Sequence, residues 1–204
     1  SGAATGPEYL RLFLQEVGGA PIKIGQILAM RVDFLPTEYV QELLKLLDEV
    51  PPFSTKESRR IIETELGADI FTLFDNFAEK PMAAASFSQV HAATLHGGKE
   101  VVVKVQRPEV DDVMTADLKI LRIAVFFIDA TGLTRRTPVK DVYAEFAEWT
   151  REELDFRIEG SHIQEIYEKA RQSKTEKIPK VYWKYTTRRV LTLERLRGIW
   201  VKDL

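Results

Sequence analysis

Two strand-like runs, Ala84 to Leu95 and Glu100 to Gln106, are separated only by the turn His96-Gly97-Gly98-Lys99. So short a glycine-bearing connection reverses the chain but has no room for a crossover helix, so the two runs are expected to pair as an antiparallel hairpin. Lys180 to Tyr185 and Arg189 to Glu194 form a second pair of closely spaced strand-like runs. Elsewhere the periodicity is helical. Glu8 to Val17, Ile22 to Val32, Thr37 to Leu47 and Thr55 to Leu66 come first, punctuated by Gly18-Gly19, Pro21, Pro36-Thr37 and Pro51-Pro52 ahead of a Ser54-Thr55 cap. In the third of these, Val40, Leu43, Leu44 and Leu47 recur at the spacing of a packed helix face. Glu109 to Asp129, Val139 to Glu153 and Phe156 to about Arg171 resume the helical pattern, with Thr131-Gly132 and Thr137-Pro138 as breaks. The order helices, hairpin, helices, hairpin excludes a doubly wound parallel sheet and predicts an α+β fold with a small antiparallel sheet.

Composition removes several classes of function. The 204 residues carry 29 Lys plus Arg against 31 Asp plus Glu, a net charge of −2, which gives no basic footprint for nucleic acid. The absence of cysteine removes disulfides, thiolate nucleophiles and Cys-ligated zinc, and is compatible with a reduced compartment. The three histidines, His91, His96 and His162, lack metal-ligand spacing. The longest apolar run, Ile120 to Ala130, is interrupted by Arg122 and Asp129 and falls short of the roughly 20 residues of a membrane span. Ser1 to Gly6 read as a linker or expression-tag remnant.

Lys104 stands among Val101, Val102, Val103 and Val105. Alternation puts it on one strand face with Val102 and Gln106, while Val103 and Val105 point the other way. It reads either as the polar side of an edge strand, where Lys is common, or as a phosphate-binding lysine of the V-A-I-K type. The second role needs a carboxylate partner on a nearby helix. The acids from Glu152 to Glu159 could supply one: Glu152, Asp155 and Glu159 fall near one helix face, whereas Glu153 turns away from it. Lys23, in Pro21-Ile22-Lys23-Ile24-Gly25-Gln26, is the other cation considered for those acids. Gly25 inside a helix costs about 1 kcal/mol against alanine, so something is expected to approach the backbone closely there; a surface lysine beside a helix-packing glycine is the simpler reading. Ala83-Ala84-Ala85-Ser86-Phe87-Ser88-Gln89-Val90-His91 lies where a protein kinase has its glycine-rich loop. Alanines keep the small size but restrict φ, so a tighter loop is expected; otherwise this is an ordinary small-residue strand.

Taken in order, these segments resemble the UbiB/ADCK family of atypical kinase-like proteins, linked to ubiquinone (coenzyme Q) and related prenyl-lipid metabolism. The resemblance runs from about Tyr9 to Leu204. Lys23, Gly25 and Gln26 match the KxGQ motif, Ala83 to His91 the alanine-rich loop, and Lys104 in VVVKVQRP the strand lysine. Glu153 and Asp155 match the ExD motif, Glu159 the glutamate of the αC-like helix, and Leu193-Glu194-Arg195 before Gly198 the hinge. Ser88 departs from the Gly or Ala that the family often has.

The resemblance implies a kinase-like small lobe, an antiparallel sheet plus an αC-like helix, with a helical extension and a helical insertion. The implied layout is a linker at 1–6, the KxGQ extension at 7–80, and the small lobe at 81–204 with an insertion at about 109–152. The large lobe, with its catalytic-loop Asp and Asn and its DFG-type Asp, is expected to be absent, so the Mg2+ ligands and a complete catalytic set are expected outside this chain. By resemblance Lys104 contacts the α- and β-phosphates of ATP or ADP and pairs with Glu159. Ala84, Ala85, Ser86, Phe87, Ser88 and Gln89 form the nucleotide loop, Leu193 is the gatekeeper, and the backbone from Glu194 to Leu196 holds the adenine. Lys23, Gly25, Gln26, Glu153 and Asp155 are implied to occlude the place where a protein kinase admits a peptide. The implied function is an ATPase or small-molecule kinase acting on a lipid or quinone precursor at a membrane surface, in a bacterial cytoplasm or an organelle, with lipid-biosynthesis proteins as partners. A non-catalytic nucleotide-binding scaffold and a true protein kinase are the alternatives.

Overall fold

The computed structural model describes residues 5–29, 36–47, 51–130, 139–171, 173 and 175–198, which divide into two compact units. The first comprises 1–50 with 109–147 and is helical. It contains α1 (Gly6–Val17), α2 (Gly19–Ala29) and α3 (Thr37–Leu44) with a 3-10 turn at Lys45–Leu47. Glu8 closes the start of α1 by accepting from the Thr5 N–H at 2.7 Å. Gly18 and Gly19, at φ 74° and 54°, separate α1 from α2. Leu14, Ala29, Leu43 and Leu46 form this unit's core, with Leu10 packed against it.

The second unit comprises 51–108 with 148–204. It opens with α4 (Thr55–Leu66), whose Ser54 cap accepts from the Glu57 N–H and which stops at Gly67 in the left-handed conformation. A single helical turn, α5 (Ile70–Leu73), runs directly into β1 (Phe74–Phe77). β2 (Ala83–Ala84), β3 (Ser88–Leu95) and β4 (Lys99–Gln106) follow. The helices α6 (Val110–Ala130) and α7 (Val139–Glu153) come next in the chain, then α8 (Phe156–Ala170) and β5 (Val190–Glu194).

The sheet is antiparallel throughout, in the order β1-β3-β4-β5, with β2 also paired to β3. Its register puts Val90, Lys104 and Leu191 abreast on one face, and His91, Val103 and Thr192 abreast on the other. The second face carries the main core: Ile61, Ile62, Ile70, Phe74 and Phe77 pack on Ala93, Leu95, Val101, Val103, Val105 and Val190. On the first face, Phe156, Val181 and Leu191 form a smaller cluster.

The α+β architecture and the first hairpin agree with expectation. The two compact units meet in sequence at 50/51, and the apolar residues of α4, α5 and β1 have the sheet as their burial partner. Residues 109–147, within the stretch read as an insertion, interrupt the sheet unit in sequence and belong to the same compact unit as α1 to α3. There Tyr143 of α7 donates to the Leu118 carbonyl of α6 at 2.9 Å. The second hairpin is reduced to a single bridge, Val181 with Leu193, because the chain turns through a 3-10 segment at Trp183–Tyr185 instead of remaining extended. The breaks at 131–132 and 137–138, and the end of the second helix beyond Ala29, lie outside the described residues.

Candidate nucleotide site on the sheet face

Lys104 does not stand on an edge. β4 is hydrogen-bonded to β3 on one side and β5 on the other, so its lysine rises from the interior of the sheet. Val103 and Val105 beside it are fully buried in the core on the opposite face. That anchoring fixes the strand and leaves the lysine stem on the face that α8 covers. Its Nζ lies 2.6 Å from Glu159 Oε2 and 4.7 Å from the centre of the Phe156 ring. The two partners are 55 positions apart in sequence. The pair stays partly accessible, at 26% and 40% of side-chain surface.

Three features place Glu159. Asp155 caps α8 by accepting from the Arg157 N–H at 3.0 Å, which sets where the helix begins. Phe156 is buried against the sheet. Gly160, the next residue after Glu159, lets the helix approach closely: a Cβ there would meet Trp183 Cη2 at 3.0 Å and Leu191 Cδ1 at 3.3 Å.

The expected acidic helix face does not form. α7 ends at Glu153, Leu154 is a turn residue and Asp155 is the cap of α8, so Glu152, Asp155 and Glu159 share no helix. Asp155 pairs instead with Arg157 at 2.6 Å, and that hydrogen bond holds its carboxyl below the usual carboxylate range. Glu153 closes α7, two residues before the Asp155 cap.

The alanine-rich segment is a miniature hairpin. Ala83 and Ala84 of β2 pair with Val90 and Gln89 of β3, and the Ala85 N–H donates to the Ser88 carbonyl at 2.7 Å across the turn. Ala84, Ala85 and Ser86 are at least partly exposed, whereas Phe87, Ser88 and Gln89 are buried. Ser88 lies opposite Gln106, on the Lys104 face. Gln89 lies on the other face. Its amide accepts from the Phe53 N–H at 3.0 Å and donates to the Phe53 carbonyl and to Ser58, so its side chain serves as an anchor on the far side of the sheet from Lys104.

At the hinge, Leu193 packs beside Phe156 and Leu191. The Glu194 N–H donates to the Lys180 carbonyl at 2.8 Å, and the Arg195 N–H to the Glu100 carbonyl at 3.2 Å. Among the described residues no partner reaches the Leu196 N–H.

Lys23, Gly25 and Gln26 belong to the helical unit. What crowds the Gly25 backbone is that unit's own core: a Cβ would meet Leu46 Cδ1 at 2.5 Å and Leu14 Cδ1 at 2.8 Å. Gln26 donates to the Leu46 carbonyl at 2.8 Å. The Lys23 side chain lies outside the described residues. Among the described residues, no group of three or more His, Cys, Asp or Glu side chains could hold a metal ion, and no helix is long and apolar enough to cross a membrane.

An interior strand lysine paired with the first-turn glutamate of a covering helix is the arrangement of a kinase-like small lobe, and the comparisons with known proteins agree. Residues 45–204 match the ABC1 atypical kinase-like domain. The chain belongs to the ABC1 atypical kinase-like family. It is 39% identical over 199 residues to the "Probable protein kinase UbiB" of Marinobacter nauticus, covering 97% of this chain and 36% of that protein. It is 37% identical over 196 residues to the chloroplastic "Protein ACTIVITY OF BC1 COMPLEX KINASE 7" of Arabidopsis thaliana, covering 96% of this chain and 28% of that one. Against the uncharacterized protein sll1770 of Synechocystis the identity is 42% over 193 residues, 94% of this chain and 33% of that protein. The chain thus spans about a third of the length of these curated relatives. Among solved structures, that of Rv3197 with erythromycin, from Mycobacterium tuberculosis, is similar at a TM-score of 0.66 and 30% identity, over 94% of this chain and 48% of that one. The ABC1 match takes in the whole sheet unit, and the longer alignments extend the likeness through α1 and α2.

Within this ABC1 sheet unit, two polar residues that sequence reasoning passed over are as well placed as the lysine. Gln106 is buried, donates to the Leu154 carbonyl at 2.9 Å and accepts from Arg189 Nε at 3.2 Å, so the lysine strand is tied to the turn that starts α8. Arg107 follows it and reaches the alanine-rich turn. The signal was present, since alternation already put Gln106 on the Lys104 face and a glutamine closing a valine run has no solubility role to play.

Proposed function

We propose that this chain is the nucleotide-binding small lobe of an ABC1-type atypical kinase or ATPase. The observation that carries the reading is the 2.6 Å contact between Lys104 on an interior strand and Glu159 on the helix that covers it. A partly exposed ammonium group, aimed by a carboxylate and seated on an aromatic ring, is a prepared cationic site for the α- and β-phosphates of ATP or ADP. The backbone from Glu194 to Leu196, beside the Leu193 gatekeeper, is assigned to the adenine edge. The turn at Ala84, Ala85 and Ser86 is small; the Ala85 N–H is committed to the Ser88 carbonyl, and the Ser86 N–H is the group proposed to approach a phosphate oxygen. When bound, ATP with Mg2+ supplies the transferable γ-phosphoryl group. The magnesium ligands and the catalytic-loop residues are assigned to a large lobe beyond this chain.

UbiB-type names among the relatives fit a role in isoprenoid-quinone metabolism; the resemblance to the UbiB/ADCK family, rather than those names, is the ground for proposing a lipid or quinone precursor as the acted-on partner at a membrane surface.

The test is nucleotide affinity in the full-length protein, measured for the wild type, Lys104→Met and Glu159→Gln. Both substitutions are expected to weaken ATP and ADP binding strongly. A partly exposed ion pair contributes about 0–1 kcal/mol to stability, so thermal midpoints should barely move. ATP binding by Lys104→Met that equals the wild type would refute the reading.

A further inference from the structure

Arg107 is the first residue beyond β4 and three positions from Lys104. It holds the alanine-rich turn at two carbonyls. Its backbone N–H donates to the Phe87 carbonyl at 2.8 Å, and its Nε donates to the Ala85 carbonyl at 2.8 Å. Its Nη2 donates to the Pro51 carbonyl at 2.7 Å, and the guanidinium lies 5.5 Å from the centre of the Phe53 ring. The far end of this contact is itself fixed, because Gln89 holds both the N–H and the carbonyl of Phe53. One half-buried cation therefore clips both the turn and the segment that enters α4 to the end of the lysine strand.

The clip has a directional consequence. No peptide bond among the described residues is cis, and in a trans peptide the C=O and the following N–H point in opposite directions. With the Ala85 carbonyl held on Arg107, the Ser86 N–H points the opposite way within that peptide plane, away from Arg107. In a glycine-rich loop the same peptide would be free to rotate.

We propose that Arg107 is a positioning residue for phosphate recognition: by holding the Ala85 and Phe87 carbonyls it fixes the alanine-rich turn so that the Ser86 N–H donates to a nucleotide phosphate. This rests on the nucleotide-binding reading above and adds to it the residue that orders the turn and the group that the turn presents. A lysine cannot replace it, since an ammonium group lacks the planar fork that reaches the Ala85 and Pro51 carbonyls together.

The experiment compares ATP, ADP and adenosine affinities of the full-length wild type, Arg107→Met, Arg107→Lys and Lys104→Met. Adenosine carries the base and the sugar but no phosphate, so it reads the adenine end alone. Arg107→Met is expected to raise the ATP and ADP dissociation constants roughly tenfold while leaving adenosine within about twofold, and Arg107→Lys should recover only part of the loss. Equal weakening of ATP and adenosine would mean that Arg107 only supports the fold, and would overturn the proposal. Unchanged ATP affinity in Arg107→Met, with Lys104→Met still losing it, would overturn the proposal while sparing the nucleotide reading. Unchanged ATP affinity in Lys104→Met would overturn both.

Discussion

The helix that carries Glu159 sits against the sheet because residue 160 has no side chain, and this makes Gly160 a sensitive place to perturb the site without touching the ion pair. Replacing Gly160 with alanine adds one carbon at 3.0 Å from Trp183 Cη2, 3.3 Å from Leu191 Cδ1 and 3.4 Å from Trp183 Cζ3. Ordinary carbon–carbon contacts lie near 3.5–4.0 Å, so α8 or Trp183 must yield by a few tenths of an ångström. Two effects oppose each other. Alanine gains about 1 kcal/mol over glycine in a helix interior, while overpacking a filled site costs about 1–3 kcal/mol. The net expectation is a loss of roughly 0–2 kcal/mol for Gly160→Ala and a clearly larger one for Gly160→Leu, which has no volume to occupy. Urea denaturation followed by circular dichroism measures both. Because Glu159 moves with the backbone of α8, Gly160→Ala should also weaken ATP binding more than its stability change accounts for. A stabilised Gly160→Ala, showing the full helix-propensity gain of about 1 kcal/mol, would mean that the gap between α8 and Trp183 is real space, and the close-approach argument would fail.

Three further outcomes are expected. Gly25→Ala should destabilise the protein by roughly 0–2 kcal/mol in thermal or urea unfolding: its Cβ would fall 2.5 Å and 2.8 Å from leucine methyl groups that belong to the core, an overpacking of about 1–3 kcal/mol, less the ~1 kcal/mol that alanine gains in a helix interior. The loss should be much the same with or without ATP if the glycine serves helix packing. His91 is buried among Gln89, Ser58, the Ala78 carbonyl and the Phe77 ring, and burial holds its pKa below the ordinary value of 6.5, with nearby Arg59 acting in the same direction and Glu79 and the Ala78 carbonyl opposing. The unfolded chain therefore binds a proton first as pH falls, so stability is complete above about 6.5 and declines by at most about 1.4 kcal/mol per pH unit below it. His91→Gln should flatten that slope between pH 6.5 and the range where carboxylates such as Asp155 and Glu57 begin to protonate, as followed by urea midpoints against pH.

What could be read from the sequence, and what could not, follows from the range over which each signal acts. The β3–β4 hairpin was legible because turn and alternation are local, and so was the face of Lys104. Whether β4 was an edge or an interior strand was not, since that depends on β5, which arrives more than 80 residues later. β1 was missed for the complementary reason: Phe74-Asp75-Asn76-Phe77 is too short to show alternation, and its two phenylalanines make sense only once Ile61, Ile62 and the sheet are beside them. The acidic cluster misled because spacing was counted across a helix break; Asp155 is a good N-cap residue, and a cap ends the periodicity that an i, i+3, i+7 argument assumes. Gly25 and Gly160 were ambiguous for one reason, in that a glycine announces a close approach without saying what approaches. In both cases the neighbour is packing, but at Gly160 the packing sets the position of the Glu159 carboxylate that pairs with Lys104. The end of β4 shows the same limit for polar residues. Lys104, Gln106 and Arg107 lie within four positions, and each holds a different wall of the site: the Glu159 helix, the Leu154 turn and the alanine-rich turn. A motif centred on the lysine captures the group proposed to meet the nucleotide. The two residues that fix the walls around it become legible only when their acceptors are seen to be backbone carbonyls, which carry no sequence signature at all.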